Sequence, residues 1–439
     1  MSDLLSLSPK DFIHFLKHEN IRRFYFIYDE KTKTVKASHH SLKPIAQFLQ
    51  NDKRDFKKHE GVFVQISSKY DTLLGAFVHR TNRGQAAGGV RYWKYDTIED
   101  YLRDGLRLGM GMTHKNALAG LWWGGGKGVM AQNPYVDKNN PDIREFLYKE
   151  YGEFMTSLKG CYVTAEDVGT SVTDMANIFS KTRFTTCIPP ELGGSGNPSE
   201  PTAQGVVAGM EASLTYLNHT FEGKIVAVQG LGHVGLPLIK LLFEKKVAKV
   251  IGWDIFPDIV KAAKKEFKGM NAEFNLVERN DNEIFKTDCD IFSPNATGGI
   301  LNEKTIPTLK AKIVCGAANN QLEDPIMDDK ALHKRGVLYI PDFLTNRMGI
   351  VNCADEQSGY VNNDPMIEKH LTKDWEFSIH QMTLKVLKES KETGKSTGAM
   401  AVTMAEKLSL ENNPIFGHRG KLIINSLVEN GWEIMDKLY

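Results

Sequence analysis

Cysteine is scarce and scattered. The 439-residue chain holds five, Cys161, Cys187, Cys289, Cys315 and Cys353, an odd number with no C-x-x-C pair. That spacing argues against a disulfide framework or a thiolate zinc centre and fits a reducing, cytoplasmic setting, so no metal is expected. Long apolar runs are also missing. No window reaches 18 consecutive apolar residues, and residues 1–14 lack the basic, apolar and small-residue segments of a signal peptide, so no membrane association is expected. A surplus of one charge is absent too: 55 Lys plus Arg stand against 54 Asp plus Glu, a net +1. A nucleic-acid partner, which would call for broad phosphate neutralisation, is therefore not expected. There is no internal repeat and no low-complexity segment. What exists in mild excess is glycine, 38 in all, and eleven of these fall between Gly84 and Gly128. Glycine serves where backbone approaches something closely or turns with positive φ.

The first 60 residues read as charged and amphipathic, with helical segments near Phe12, Phe15 and Leu16 and over 44–49. Residues 62–66 and 73–78 read as short strands. Asp96 followed by Glu99 resembles a capping box, opening a helix with the apolar stripe Ile98, Leu102, Leu106 and Gly109. The glycine-rich stretch follows, then a helix over 142–158 and a strand over 161–164. Gly, Pro, Ser and Asn crowd residues 193–201, which marks a hinge or loop. Beyond it, short apolar runs at 225–229, 250–254, 290–293, 313–315 and 337–340 alternate with helical stretches, the pattern of a buried parallel sheet. Residues after 364 read as helices.

The run at 225–229 leads directly into Gly230-Leu231-Gly232-His233-Val234-Gly235, and a helical segment follows. In this strand–turn–helix context G-x-G-x-x-G signals dinucleotide binding. The first glycine makes the turn, the second admits a pyrophosphate, and the third lets the helix pack close. Asp254 ends the next strand, where an acid accepts from the ribose 2′-hydroxyl of NAD and repels the 2′-phosphate of NADP. The expected cofactor is NAD.

A second constellation contains two lysines, Lys115 and Lys127, bracketing a turn-prone segment, with Gly124-Gly125-Gly126 just before Lys127. A lysine shielded from water beside another cation becomes a usable base. The same pattern also fits a glycine-rich surface loop with solvated lysines, which is the commoner fate of that residue. Gly128 stands where a phosphate loop of the Walker type needs a hydroxyl. Glu166 and Asp167, in Thr164-Ala165-Glu166-Asp167-Val168-Gly169-Thr170, read alone as a turn or helix cap.

Together these segments resemble the family of amino acid dehydrogenases acting on glutamate, leucine, phenylalanine and valine, and most of all its leucine-specific members. The resemblance rests on Gly88-Gly89-Val90-Arg91, the segment 111–116, Gly124 to Lys127, Ala165 to Thr170, Gly196 to Ser199, Gly230 to Gly235, Leu301-Asn302, Ala317 to Leu322 and Asn352 to Glu356, in the family's order. It implies an α/β chain of two domains around a cleft. Residues 1–200 would form an α/β substrate-binding and oligomerisation domain and 201–394 a Rossmann NAD-binding domain, with the tail 395–439 packing on the first. By the same resemblance Lys115 holds the substrate α-carboxylate, Lys127 activates water, and Asp167 shuttles a proton to and from the amino group. Gly88 and Gly89 would let substrate lie against backbone. Met112, Ala87, Ile350 and Cys353 would surround the substrate side chain. His233, Val234, Thr202, Asn319 and Asn320 would join the glycines and Asp254 around the cofactor. The partners implied are an amino acid, its 2-oxo acid and ammonia, within a homo-oligomer.

Glutamate-specific relatives carry a lysine just before the Gly-Gly pair and a serine in the later pocket loop. Here those places hold Ala87 and Cys353, so an anionic side chain would be left unpaired and an apolar amino acid is expected. Two other readings stand beside it. The small Ala87 and Cys353 would also suit an aromatic substrate, and Arg347-Met348, where relatives carry small residues, would suit a non-catalytic NAD-binding protein. His114 replaces a usual tyrosine, Trp122-Trp123 replace smaller residues, and the segment around 40–60 is additional, expected to form a helical layer or an assembly contact.

Overall fold

The computed structural model describes residues 3–279, 281–359, 361 and 363–434. The chain divides into two compact units: Met1–Gly196 with Cys353–Tyr360 and Glu406–Tyr439, and Asn197–Asn352 with Val361–Ala405.

The first unit runs α1 (Pro9–His18), β1 (Arg23–Asp29), β2 (Thr34–Ala37), α2 (Lys43–Asn51), β3 (Gly61–Ile66), β4 (Leu73–Arg80), β5 (Ala86–Ala87), β6 (Val90–Trp93), α3 (Ile98–Leu118), β7 (Gly124–Ala131), α4 (Pro141–Ser157), β8 (Tyr162–Val163) and α5 (Val172–Phe179). Its strands form a mixed sheet ordered β2-β1-β3-β4-β7-β5-β8, with β6 also on β7. The N-terminal 60 residues hold two strands that the amphipathic pattern did not signal. In β1 every residue but the last is buried, because both faces of that strand are covered and the period-2 alternation is lost. Phe12, Ile13 and Leu16 of α1, Ile45 and Leu49 of α2, and Ile98, Leu102 and Leu106 of α3 share one core with Phe24, Phe26, Val62 and Val64 of the sheet. The additional segment thus supplies α2 to that core.

The turn expected between Lys115 and Lys127 is present at residues 119–123, where Gly120 takes φ +71°, but the rest of the glycine-rich region is regular structure. Residues up to Leu118 continue α3, and Gly124–Ala131 form a strand buried along its whole length. Glycine costs a helix interior about 1 kcal/mol each, and packing explains why it is kept. A Cβ on Gly105 would lie 2.5 Å from the Phe77 ring, one on Gly109 would lie 3.1 Å from the Phe77 carbonyl oxygen, and one on Gly125 would collide with Thr113. Bare backbone on both partners lets α3 lie directly on β4 and β7. The helix starts one residue later than expected: Thr97 is the cap and its Oγ1 accepts from the Asp100 amide at 3.1 Å.

The second unit runs α6 (Ser199–Tyr216), β9 (Ile225–Gln229), α7 (Gly235–Glu244), β10 (Lys249–Asp254), α8 (Pro257–Glu266), β11 (Ala272–Leu276), β12 (Ile291–Pro294), β13 (Ile313–Val314), α9 (Met327–Lys334), β14 (Leu338–Tyr339), α10 (Asp342–Thr345), α11 (Met348–Ser358), α12 (Pro365–Glu368), α13 (Ile379–Thr393) and α14 (Thr397–Ser409). Its sheet is parallel throughout, ordered β11-β10-β9-β12-β13-β14. That is the doubly wound dinucleotide-fold order, and the expected α/β class with a Rossmann sheet holds. The edge strand β11 carries no apolar run, since only Phe274 of its five residues is buried, and so it left no sequence signal. Within the sequence, α11 and α14 each cross from one unit to the other. The last helix, α15 (Arg419–Glu429), belongs to the first unit, as does the fully buried Trp432, whose indole N–H donates to Ser157 Oγ at 3.0 Å. Among the described residues no helix is long and apolar enough to cross a membrane.

Candidate active site

In the first unit Lys127 sits mid-way along β7 and is nearly fully buried. Asp167 follows β8, and its Oδ2 lies 2.8 Å from Lys127 Nζ. The sheet register explains how the two meet. β5 pairs Ala86 with Gly124, and β6 pairs Val90 with Gly128, so the intervening Gly88 and Gly89 run alongside Gly126 and Lys127. A Cβ on Gly88 would strike the Gly126 carbonyl oxygen, with Met112 Cγ 2.8 Å away, and one on Gly89 would strike Glu166 O and lie 2.8 Å from Asp167 Cβ. Protein backbone therefore accounts for glycine at both positions, and the close approach brings Asp167 onto Lys127.

Burial lowers the Lys127 pKa, with the Arg91 cation adding to the effect and Asp167 opposing it. Burial alone would raise the Asp167 pKa, but the Lys127 and Arg91 cations overcome it and hold the carboxyl at about 2. Lys127 and Asp167 thus stand as a buried salt bridge whose two members shift each other's proton affinity. Arg91 was not singled out from the sequence beyond its place in a motif. Its Nε donates to the same Asp167 oxygen at 3.2 Å.

Met112 and Lys115 lie three residues apart, and so on one face of the last turns of α3, with Met112 over Gly88; Lys115 is half-buried. Ala87, on β5, is buried between Gly125 and Val163. Cys353, on α11, is buried with its Sγ 3.2 Å from that of Cys187. Glu356, one turn further on, accepts from the amides of Cys187 at 3.0 Å and Ser195 at 2.8 Å, and so ties α11 to that loop. His114 turns to Glu406, with Nε2 2.7 Å from Oε1, and Trp122 is exposed under the Arg83 guanidinium. The described residues include no cluster of His, Cys, Asp or Glu fit for a metal.

In the second unit the three motif glycines differ as their chemistry requires. Gly230 has φ +89°, which a side chain would disfavour. A Cβ on Gly235 would collide with the Gly230 carbonyl, so α7 can meet β9 only there with glycine. A Cβ on Gly232 would meet nothing within 4 Å: open space, where a phosphate could approach. His233 is exposed and Val234 half-buried just before α7. Asp254 closes the turn, its Oδ2 accepting from Leu231 N at 2.8 Å and Oδ1 from Phe256 N at 3.0 Å. These residues fit a dinucleotide. Asn319 and Asn320 are exposed; Asn319 Oδ1 accepts from Asn346 Nδ2 at 2.8 Å, and Asn320 takes φ +53° with its amide on Asp342. Thr202 donates its hydroxyl to Pro198 O at 2.8 Å, and Ile350 is buried. Arg347 and Met348 turn inward. Arg347 is fully buried and donates to the Phe377 carbonyl, while Met348 packs against Gly205.

A Rossmann sheet with its phosphate turn, and a buried lysine–carboxylate pair in a second α/β unit, define an oxidoreductase of the dinucleotide-fold class. Comparison with known proteins narrows the class. Residues 64–184 match the Glu/Leu/Phe/Val dehydrogenase dimerisation domain, and residues 193–412 match the glutamate/leucine/phenylalanine/valine dehydrogenase domain. A leucine dehydrogenase of Geobacillus stearothermophilus is 47% identical over 285 residues, 64% of this chain and 74% of that one. A leucine dehydrogenase of Thermoactinomyces intermedius is 42% identical over 75% of this chain and 85% of its own. The crystal structure of L-tryptophan dehydrogenase from Nostoc punctiforme superposes with a TM-score of 0.66 at 34% identity, covering 80% of this chain and 95% of that one. The chain belongs to the Glu/Leu/Phe/Val dehydrogenase family and is an amino acid dehydrogenase.

Proposed function

We propose that the protein catalyses the reversible oxidative deamination of a branched-chain, leucine-like L-amino acid to its 2-oxo acid and ammonia with NAD, as a cytoplasmic homo-oligomer. The observation that carries the chemistry is the buried Lys127–Asp167 pair. NAD, held by Gly230, Gly232, Gly235 and Asp254, would supply the hydride acceptor for the substrate Cα. Lys115 anchors the α-carboxylate from the last turn of α3. Asp167 takes a proton from the substrate ammonium so that the nitrogen lone pair is free. Lys127, having released its proton to solvent, takes one from the water that attacks the imino carbon. Asp167 returns its proton to the nitrogen, and the C–N bond breaks as the new hydroxyl becomes the carbonyl and passes its proton to the departing ammonia. An Asp167 held at about 2 is a weak acceptor while Lys127 is charged. It becomes a better one once Lys127 loses its proton, because the nearest cation has gone. The two groups work as one unit.

The leucine dehydrogenases of 41–47% identity support the branched-chain substrate, as does the apolar Ala87 beside Gly125. Asp254 beside the phosphate turn supports NAD over NADP. The inward burial of Arg347 and Met348 removes the reason for a non-catalytic reading. NADH formation assayed across the amino acids tests the proposal. Leucine, valine and isoleucine are expected to turn over, with glutamate at least about tenfold slower. A preference for glutamate or for an aromatic amino acid would overturn the substrate assignment, and binding of NAD with no turnover of any amino acid would overturn the activity.

A further inference from the structure

Lys127 and Asp167 are the inner end of a longer row of charges. Arg91 Nε donates to Asp167 Oδ2 at 3.2 Å, the oxygen that Lys127 uses at 2.8 Å. The other side of the guanidinium, NH1, reaches both oxygens of Asp104 at 3.2 and 3.1 Å. Tyr95 closes the row by donating its hydroxyl to Asp104 Oδ2 at 2.6 Å. Four elements contribute: Arg91 from β6 with Tyr95 just beyond it, Asp104 from α3, Lys127 from β7 and Asp167 from the turn after β8. Arg91 and Asp104 have side chains 16% and 19% exposed, so solvent screens the row weakly.

We propose that Arg91 is a positioning residue: clamped by Asp104 and Tyr95, it holds the Asp167 carboxylate on Lys127 and biases where their shared proton resides. The inference rests on the proposed roles of Lys127 and Asp167. A brace that served only for rigidity would need no particular charge, whereas this one alternates sign at every step, as Asp104 minus, Arg91 plus, Asp167 minus and Lys127 plus. Removing any member changes the field at its neighbours with a predictable sign. The Arg91 cation disfavours a second cation on Lys127 and favours the Asp167 anion, and Asp104 acts on Lys127 in the opposite sense. The other titratable groups that face the row are Tyr162 of β8, Tyr101 of α3 and Glu166. Burial raises the pKa of all three, so the phenols stay neutral through the working range.

The test is the pH dependence of kcat/KM for oxidation of the amino acid by the full-length enzyme, measured for wild type, Arg91→Gln, Arg91→Lys and Asp104→Asn, with thermal melts alongside. Lys127 must be neutral to accept a proton, so the acid-side limb of the profile follows its ionisation. Arg91→Gln is expected to move that limb up by about one pH unit. Asp104→Asn is expected to move it down, because Arg91 loses its counter-charge, and Arg91→Lys is expected to keep it near the wild-type position. In both neutralised variants the loss falls on kcat more than on KM, since Lys115 binds the carboxylate independently. Limbs that stay in place, or that move in the same direction in Arg91→Gln and Asp104→Asn, would overturn the proposal. Should Arg91→Gln fail to fold, the downward shift in Asp104→Asn and the preserved limb in Arg91→Lys still decide it. A wild-type enzyme with no amino acid oxidation would instead overturn the activity on which the inference rests.

Discussion

Gly125 on β7 and Thr113 on α3 meet backbone to backbone: a Cβ on Gly125 would overlap the Thr113 nitrogen, Cα and hydroxyl at once. The nitrogen and Cα are backbone atoms, so turning the Thr113 side chain cannot relieve the overlap. The contact holds the helix that carries Met112 and Lys115 against the strand that carries Lys127. Thr113 Oγ1 in turn lies 2.7 Å from the Nδ1 of the buried His79, which locks the helix face from behind.

Gly125→Ala should therefore separate α3 from β7, at a cost of at least about 1–3 kcal/mol for overpacking. The expected result is a lower melting temperature together with a raised KM for the amino acid. Gly111→Ala is the control, because a Cβ there meets nothing within 4 Å, and replacing glycine inside a helix should leave stability equal or higher. Equal melting temperatures for Gly125→Ala and wild type would refute the packing argument.

Lys127→Ala removes the proposed water-activating base. A loss of about 10²–10⁴-fold in kcat is expected. Lys127→Arg should not rescue activity, since a guanidinium stays protonated at working pH. Circular dichroism should show both variants folded. A Lys127→Ala enzyme within tenfold of wild type would assign the base elsewhere.

The glycines of the phosphate turn should separate cofactor binding from stability. Gly232→Ala adds a methyl group to open space and is expected to leave the melting temperature of the free protein unchanged while weakening NAD binding. Gly235→Ala drives a Cβ into the Gly230 carbonyl and should lower stability even without cofactor. Titration calorimetry with NAD, beside thermal melts, distinguishes the two. Identical behaviour of both variants would count against the open approach at Gly232.

Two buried histidines should make stability fall on mild acidification. Burial lowers the His59 pKa to about 4 and takes His79 well below its usual value. His59 is held as the neutral ring, with Nδ1 accepting from the Lys57 amide at 3.2 Å and Nε2 donating to Leu106 O at 2.9 Å. In the unfolded chain each imidazole takes up a proton near pH 6.5. The folded state binds it only at lower pH, so the stability present above pH 6.5 is lost as pH falls toward 4. The slope is about 1.4 kcal/mol per pH unit for each ring. Thermal melts between pH 7.5 and roughly 4.5 should follow this trend, and His59→Gln should flatten it by one ring's share. A flat wild-type profile across this range would contradict the burial of both rings as neutral species.

The nucleotide half was legible because its signals are local. The glycine motif, the strand before it, the helix after it and Asp254 all fall within about thirty residues, and the parallel strands are short apolar runs that read alike in any such sheet. Only the half-exposed β11 escaped, for lack of an apolar face. In the first half the chemistry-bearing residues are recognisable by their motif, but the helix and strand that carry them are not. Gly109 to Asn116 and Gly124 to Gly128 look like a loop because glycine lowers both helix and strand propensity. Tertiary packing outweighs that preference once α3 lies on β7.

What the sequence by itself determined was the pairing of a dinucleotide fold with a lysine- and carboxylate-bearing second unit, and with it the family. What only the tertiary structure decided is how those side chains act on one another. Lys127, Asp167, Arg91 and Asp104 come from separate strands, a turn and a helix, and Arg91 is 76 positions from the carboxylate it shares with Lys127. No periodicity connects such residues. Their proton affinities depend on distance, burial and the sign of neighbouring charge, which exist only once the chain has closed its mixed sheet.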